Sequence, residues 1–146
     1  MIRIVVSADV VDVGAEMALL EADGAGAVAT FSGLVRADGD VGSLELEHYP
    51  GATDNALKLL AENAVERWKL LAATIVHRVG VMHPGERIVF VGVSAPHRGA
   101  ALEACAFLID RLKTDAPFWK RETRGKETRW VEPRGSDDAA AARWEN

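Results

Sequence analysis

Thr74-Ile75-Val76-His77-Arg78-Val79-Gly80-Val81-Met82-His83-Pro84-Gly85-Glu86-Arg87-Ile88-Val89-Phe90-Val91-Gly92-Val93-Ser94-Ala95-Pro96-His97-Arg98 is the stretch on which the fold turns. Thr74–Val81 and Arg87–Ser94 are rich in β-branched residues and read as two strands. Met82–Glu86 joins them, with Pro84 and Gly85 in the order a type II turn uses. Ile88–Val93 is almost wholly apolar, as a central strand requires. A helix follows from about Arg98 to Lys113, its apolar stripe marked by Leu102, Cys105, Ile109 and Leu112; Pro117 bars a further turn. Two strands joined by a tight turn and then a helix break the strict strand–helix alternation of a parallel α/β fold.

The flanking sequence fits the same frame. Ile2–Val6 reads as a strand, and Val13–Ala22 as a helix ended by Asp23-Gly24. Ala25–Arg36 is a long strand in which Gly26 and Gly33 mark a bulge or a close approach of backbone. Ala37–Gly42 is a loop. In Leu44–Tyr49, Leu44, Leu46 and His48 take one face and Glu45, Glu47 and Tyr49 the other. Thr53–Trp68 is an amphipathic helix with Ala56, Leu59, Leu60, Ala64 and Trp68 on its stripe and Thr53 or Asp54 as its cap. Arg129–Arg134 is extended, and Ser136-Asp137-Asp138 caps a last short helix through Trp144. The expected class is α+β with a mixed, partly antiparallel sheet, in one domain spanning residues 1–146.

The chain has 146 residues and a net charge of −5. No apolar run reaches the roughly 18 residues of a membrane span. Residues 1–6 read as a strand rather than a secretion signal, and a single cysteine, Cys105, leaves no internal disulfide. A cytoplasmic, membrane-free protein is expected. The charge is uneven. Residues 1–110 hold 8 Lys+Arg against 15 Asp+Glu, residues 111–134 hold 8 against 4, and residues 135–146 hold 1 against 3. A basic island in an acidic chain suits an anionic partner, or is a solvated loop.

Three places offer chemistry. Ser94-Ala95-Pro96-His97-Arg98 leads into a helix N-terminus, where free backbone N–H groups favour an anion. Equally, His97 and Arg98 there are ordinary surface residues. Lys113-Thr114-Asp115-Ala116-Pro117-Phe118-Trp119-Lys120-Arg121-Glu122 sets two lysines seven residues apart around a proline-broken loop with two aromatics. Either the aromatics desolvate a lysine and lower its pKa, or they anchor the core and leave the lysines in water. Phe31-Ser32-Gly33-Leu34-Val35-Arg36 ends in a guanidinium suited to phosphate. His48, His77 and His83 have no metal-ligand spacing, and His77 in mid-strand reads as structural. Cys105 on an apolar stripe reads as an inert core thiol.

In order along the chain, Gly26-Ala27-Val28, Phe31-Ser32-Gly33, Val35-Arg36, Leu46-Glu47-His48-Tyr49-Pro50-Gly51, His77-Arg78-Val79-Gly80, Pro84-Gly85-Glu86, Val89-Phe90-Val91-Gly92-Val93, His97-Arg98, Leu112-Lys113-Thr114, Ala116-Pro117-Phe118-Trp119-Lys120-Arg121-Glu122 and Arg129-Trp130-Val131-Glu132 resemble the catalytic, large-subunit family of molybdopterin synthases over roughly residues 2–144. The resemblance implies an α/β-hammerhead fold with a small additional β subdomain, and a homodimer. Each copy would bind a small ubiquitin-like sulfur carrier, giving a heterotetramer. Sulfur would pass from the carrier's C-terminal Gly-Gly thiocarboxylate to cyclic pyranopterin monophosphate, forming the molybdopterin dithiolene, with no metal or cofactor. It implies Lys113 and Lys120 as catalytic residues. Phe31, Leu34, Val35, Arg36, His97, Arg98, Arg121 and Glu122 match substrate-pocket positions. Leu34 stands where some relatives have lysine, which removes a cation from the pocket rim. Residues 124–128 carry no assigned chemistry.

A reading from another class is a single-stranded nucleic-acid binder, with Phe118, Trp119 and Trp130 stacking bases among the cations of 111–134. The acidic balance of the chain, pI about 5.4, speaks against it.

Overall fold

In a computed structural model, which describes residues 1–36, 41–124, 127–130 and 142–144, the elements run β1 (Ile2–Ser7), α1 (Val13–Leu20), β2 (Ala27–Leu34), β3 (Val41–His48), α2 (Ala52–Trp68), β4 (Ala72–Arg78), β5 (Gly80–Met82), β6 (Arg87–Ala95), α3 (Arg98–Asp115), β7 (Phe118–Arg124) and β8 (Glu127–Trp130). The strands form two four-stranded sheets, β1-β4-β6-β2 and β5-β3-β7-β8. Among the described residues only the β1–β4 ladder is parallel, so the first sheet is mixed and the second antiparallel, in keeping with an α+β fold. The last-helix caps Ser136–Asp138 and the extended residues 131–134 lie outside the described residues.

The stretch 74–98 behaves as its sequence suggests, with one difference. β6 is central and buried from Val89 to Ala95. Pro84 and Gly85 occupy the turn, Gly85 has φ of 92°, and Glu86 N–H donates to the His83 carbonyl at 3.0 Å. This is the type II geometry, and only a residue free of Cβ takes that φ without strain. The difference is that residues 74–81 are not one strand. Gly80 has φ of 91°, and the chain there leaves the first sheet as β4 and enters the second as β5.

Both long helices cover one face of the first sheet. Leu57, Leu60, Ala61 and Ala64 of α2 meet Ala101, Ala104, Cys105, Phe107, Leu108 and Leu112 of α3 over Ala29, Ala73, Ile75, Val91 and Val93. The apolar stripes are rotated from the expected ones: Leu59 is 57% exposed and Leu102 62%. Small residues at 61, 64, 101 and 104 let the helices approach each other, which turns their larger neighbours outward. α1 covers the other face through Leu20, against Val76 and Phe90. Buried Glu16 is held there by Arg3 Nε at 2.7 Å. The second sheet has its own core of Val35, Leu44, Leu46 and Met82, so the alternation read in Leu44–Tyr49 is correct.

Two further differences matter below. α2 begins one residue early, capped by Gly51 with φ of 87° and no side-chain bond, so neither Thr53 nor Asp54 is the cap. The segment after Pro117 is no loop but strand β7.

Candidate active site

The lysine pair sits on a corner. Lys113 lies in the exposed last turn of α3, where a cation also suits the helix dipole. The helix ends at Asp115, and Pro117 turns the chain into β7. The β3–β7 ladder then decides which way each side chain points. Phe118 lies opposite His48, Lys120 opposite Leu46, and Glu122 opposite Leu44. Directly opposed residues of an antiparallel pair share a face. Lys120 and Glu122 therefore point to the side of the buried Leu44 and Leu46, and Lys120 is half-buried. Trp119 and Arg121 take the other side: Arg121 pairs with Glu45, and Trp119 meets Tyr49 edge-to-face at 5.9 Å. Lys120 and Arg121, adjacent in sequence, thus serve opposite faces of one strand.

The corner is braced from beneath. Phe118 stacks on His77 with centroids 3.9 Å apart and planes 19° apart. The His77 ring donates from Nδ1 to the Arg78 carbonyl at 2.8 Å. Burial pushes its pKa down to about 4, partly opposed by that bond and assisted by nearby His48. His77 is consequently a neutral, apolar-packed ring at physiological pH, the structural role read from its place in mid-strand. Thr53 braces the other flank, accepting the Tyr49 N–H at 2.9 Å and donating to the Pro117 carbonyl at 2.7 Å. Spacing gave no signal for this, because Pro117 lies 64 residues further along the chain.

Arg36 lies just beyond the end of β2 at Leu34. Phe31 (37% exposed) and Leu34 (50%) lie along β2, an edge strand. Val35 is only 5% exposed; its side chain belongs to the second core, its N–H donates to the Glu86 carbonyl, and its carbonyl accepts from Gly85, both at 2.9 Å. Val35 turns its side chain into the second core, and each of its backbone groups already has a partner. It thereby fixes where exposed Arg36 begins. Glu86 in turn accepts the His83 N–H at 2.6 Å and the Arg78 guanidinium at 3.4 Å, which keeps its carboxyl below the usual range.

His97 and Arg98 are elsewhere. The β2–β6 ladder pairs Ala27 with Ala95 and Leu34 with Arg87. Seven strand steps at about 3.3 Å put its two ends roughly 23 Å apart. His97 and Arg98 follow Ala95 at one end; Arg36 follows Leu34 at the other. α3 starts beside Arg98 and runs back over the sheet, and Phe118 beyond it reaches His77, the partner of Val89. Lys113, Lys120 and Arg36 thus share one end of a single chain, and His97 and Arg98 occupy the opposite end. Both are exposed, with His97 the N-cap residue of α3 and using no side-chain cap bond. Gly26 pairs there so tightly that a Cβ would sit 2.1 Å from the Pro96 carbonyl oxygen. A depression between α2 and α3, lined by Asn63, Arg67, Phe107, Arg111 and Trp144 among others, contains none of these residues.

Among the described residues no group of three or more His, Cys, Asp or Glu gathers to hold a metal, and no helix is long and apolar enough to cross a membrane. Phe118, needed by the nucleic-acid reading as a stacking platform, is taken by His77. Cys105 is buried, and its thiol is pushed up to about 11 by that burial.

Residues 6–115 match the family model described as MoaE protein. A molybdopterin synthase catalytic subunit from Pseudomonas aeruginosa is 52% identical over 92% of this chain and 93% of its own length. One from Escherichia coli is 51% identical over 97% of both. Among solved structures, a molybdopterin biosynthesis MoaE protein from Burkholderia ambifaria superposes with a TM-score of 0.86 at 48% identity, covering 99% of this chain and 98% of that one.

Proposed function

The chain belongs to the MoaE protein family, and from that premise we propose that it acts as the catalytic subunit of a molybdopterin synthase, a sulfurtransferase of molybdenum cofactor biosynthesis. In this reading residues 1–146 act as one domain in the cytoplasm. The sulfur comes from the thiocarboxylated Gly-Gly terminus of a small ubiquitin-like carrier subunit and goes to cyclic pyranopterin monophosphate. The observation that carries the reading is the corner itself: two lysines on either side of Pro117, one on a solvent-facing helix end and one half-buried on the inner face of β7.

The roles follow from position. Exposed Lys113 meets the carrier's anionic tail and stabilises charge on the thiocarboxylate and on the adduct formed with it. Lys120, against apolar Leu46, supplies a cation or proton as the pterin ring opens and sulfur adds. Arg36 grips phosphate, Phe31 and Leu34 line the approach, and Val35 anchors Arg36. Glu122 shares the face of Lys120, whereas Arg121, on the other face with Glu45, meets the carrier rather than the pterin.

His97 and Arg98 belong to this reaction only if a second copy brings them. A closed two-fold dimer places the same surface of each copy against the other. The α3 N-terminus of one copy then completes the lysine corner of its partner, and two such sites with two carriers make a heterotetramer. The supporting observation is the separation of roughly 23 Å along the β2–β6 ladder, which no side chain spans.

Reconstitution tests both parts. Lys113→Ala and Arg98→Ala should each be folded and nearly inactive with thiocarboxylated carrier and precursor. Co-expressed, the two chains should recover about a quarter of the sites, because random pairing gives half mixed dimers with one intact site each. No recovery on mixing sinks the shared site. Wild-type turnover by Lys113→Ala sinks the assignment of the corner.

A further inference from the structure

The corner between α3 and β7 is held by side chains that lie on other elements and carry no charge. Thr53 is fully buried, and its hydroxyl ties the Tyr49 N–H to the Pro117 carbonyl. His77, anchored through its own backbone bond, lies flat against Phe118. Pro117 and Phe118 come four residues after Lys113 and two before Lys120. Pro117 has no N–H to give, so its carbonyl is the one backbone handle by which the turn at that residue can be gripped.

The β3–β7 ladder pairs residue for residue from Ser43–Thr123 to His48–Phe118. Its far end contains an irregularity between Val41 and Ser43. A slip of one residue would reverse every side chain, turning Lys120 from the Leu44–Leu46 face to the Glu45–Glu47 face. Thr53 and His77 both act at the near end, where Phe118 faces His48 and the regular register begins.

We propose that Thr53 and His77 are positioning residues for the sulfur-transfer site: the hydroxyl of one and the ring of the other fix the Pro117–Phe118 corner, and with it the spacing of Lys113 and Lys120 and the face that Lys120 takes. The inference rests on the reading of those lysines as the reacting pair.

Thr53→Val keeps the shape and removes the hydroxyl; Thr53→Ser keeps the hydroxyl. The measurements are the single-turnover rate at saturating thiocarboxylated small subunit and pterin precursor, the dissociation constant for that subunit, and the melting temperature. Thr53→Val should fold and bind the carrier within about threefold of wild type. Its rate should fall on the order of tenfold to a hundredfold, the scale on which an ångström of misplacement acts. Thr53→Ser should recover most of that loss. Phe118→Leu, which removes the ring contact with His77 and keeps apolar bulk, should show the same split, and it decides the matter if Thr53→Val does not fold. Lys113→Ala and Lys120→Ala run alongside. If they retain the rate, the reading of the site fails. If they lose it while Thr53→Val and Phe118→Leu turn over like wild type, the positioning inference alone fails. A rate loss that Thr53→Ser does not recover, or one matched by lost carrier affinity, also overturns it.

Discussion

Cys105 is the only thiol in a chain whose proposed chemistry moves sulfur, and it is placed where it can take no part. It packs between α3 and the first sheet, and burial raises its pKa to about 11, so thiolate is scarce at neutral pH. Cys105→Ala should retain full turnover and lose roughly 1 kcal/mol or more for the small cavity. A thiol reagent should label the native protein far more slowly than the unfolded one. A folded but inactive Cys105→Ala would return this sulfur to the mechanism. At this scale much was legible: an apolar stripe marked Cys105 as core, and mid-strand placement marked His77 as structural. Thr53 and Val35 were not. One reads as a helix cap and the other as a pocket residue until the fold brings Pro117 to the first and Leu44 and Met82 to the second.

At the scale of elements, the turn at Pro84-Gly85 and the alternation in Leu44–Tyr49 were readable because both are local. The break at Gly80 was not, since β-branched residues continue on both sides and only the second sheet gives Val81 and Met82 a different partner. β7 was missed because its sequence is charged, and a strand of that composition is specified by pairing with β3 rather than by its own pattern. His77 makes β4 sensitive to acid. Unfolded, a histidine binds its proton near pH 6.5; folded, this one does so only near pH 4. Between those values the unfolded chain holds more protons, so stability present above pH 6.5 falls as pH falls, by roughly 3 kcal/mol at pH 4. Denaturant melts at pH 7.5 and 4.5 should show the drop. His77→Phe, which keeps a ring against Phe118 but cannot titrate, should flatten it. An unchanged slope would mean that other groups govern the acid limb.

On the scale of the whole molecule, the sequence reveals a basic island but not its geometry. Lys120 and Arg121 are adjacent in sequence, yet β7 turns them to opposite faces, and the length of the first sheet divides Arg36 from His97 and Arg98. Residues 111–134 carry a net +4 in a chain of net −5, and in the proposed function this charge is what attracts the anionic carrier tail. Carrier affinity should therefore fall with ionic strength and level off, because screening acts over about 8 Å at physiological salt and leaves apolar contact intact. Removing the carrier's two terminal glycines should lower affinity and most of the salt dependence, as titration calorimetry can read. Equal affinity and equal salt response would place the tail elsewhere. The parallel pairing of Ile2 with Ala73 carries a different consequence, one of time. Synthesis delivers β1 well before β4, its ladder partner among the described residues, which comes some seventy residues later, and the central strand β6 follows only at Arg87–Ala95. Until β6 appears, β2 has no ladder partner among the described residues and β1 has only β4. Nascent chains halted before residue 95 should be open to protease along their N-terminal third and aggregation-prone, and protection should arrive abruptly once β6 has cleared the exit tunnel.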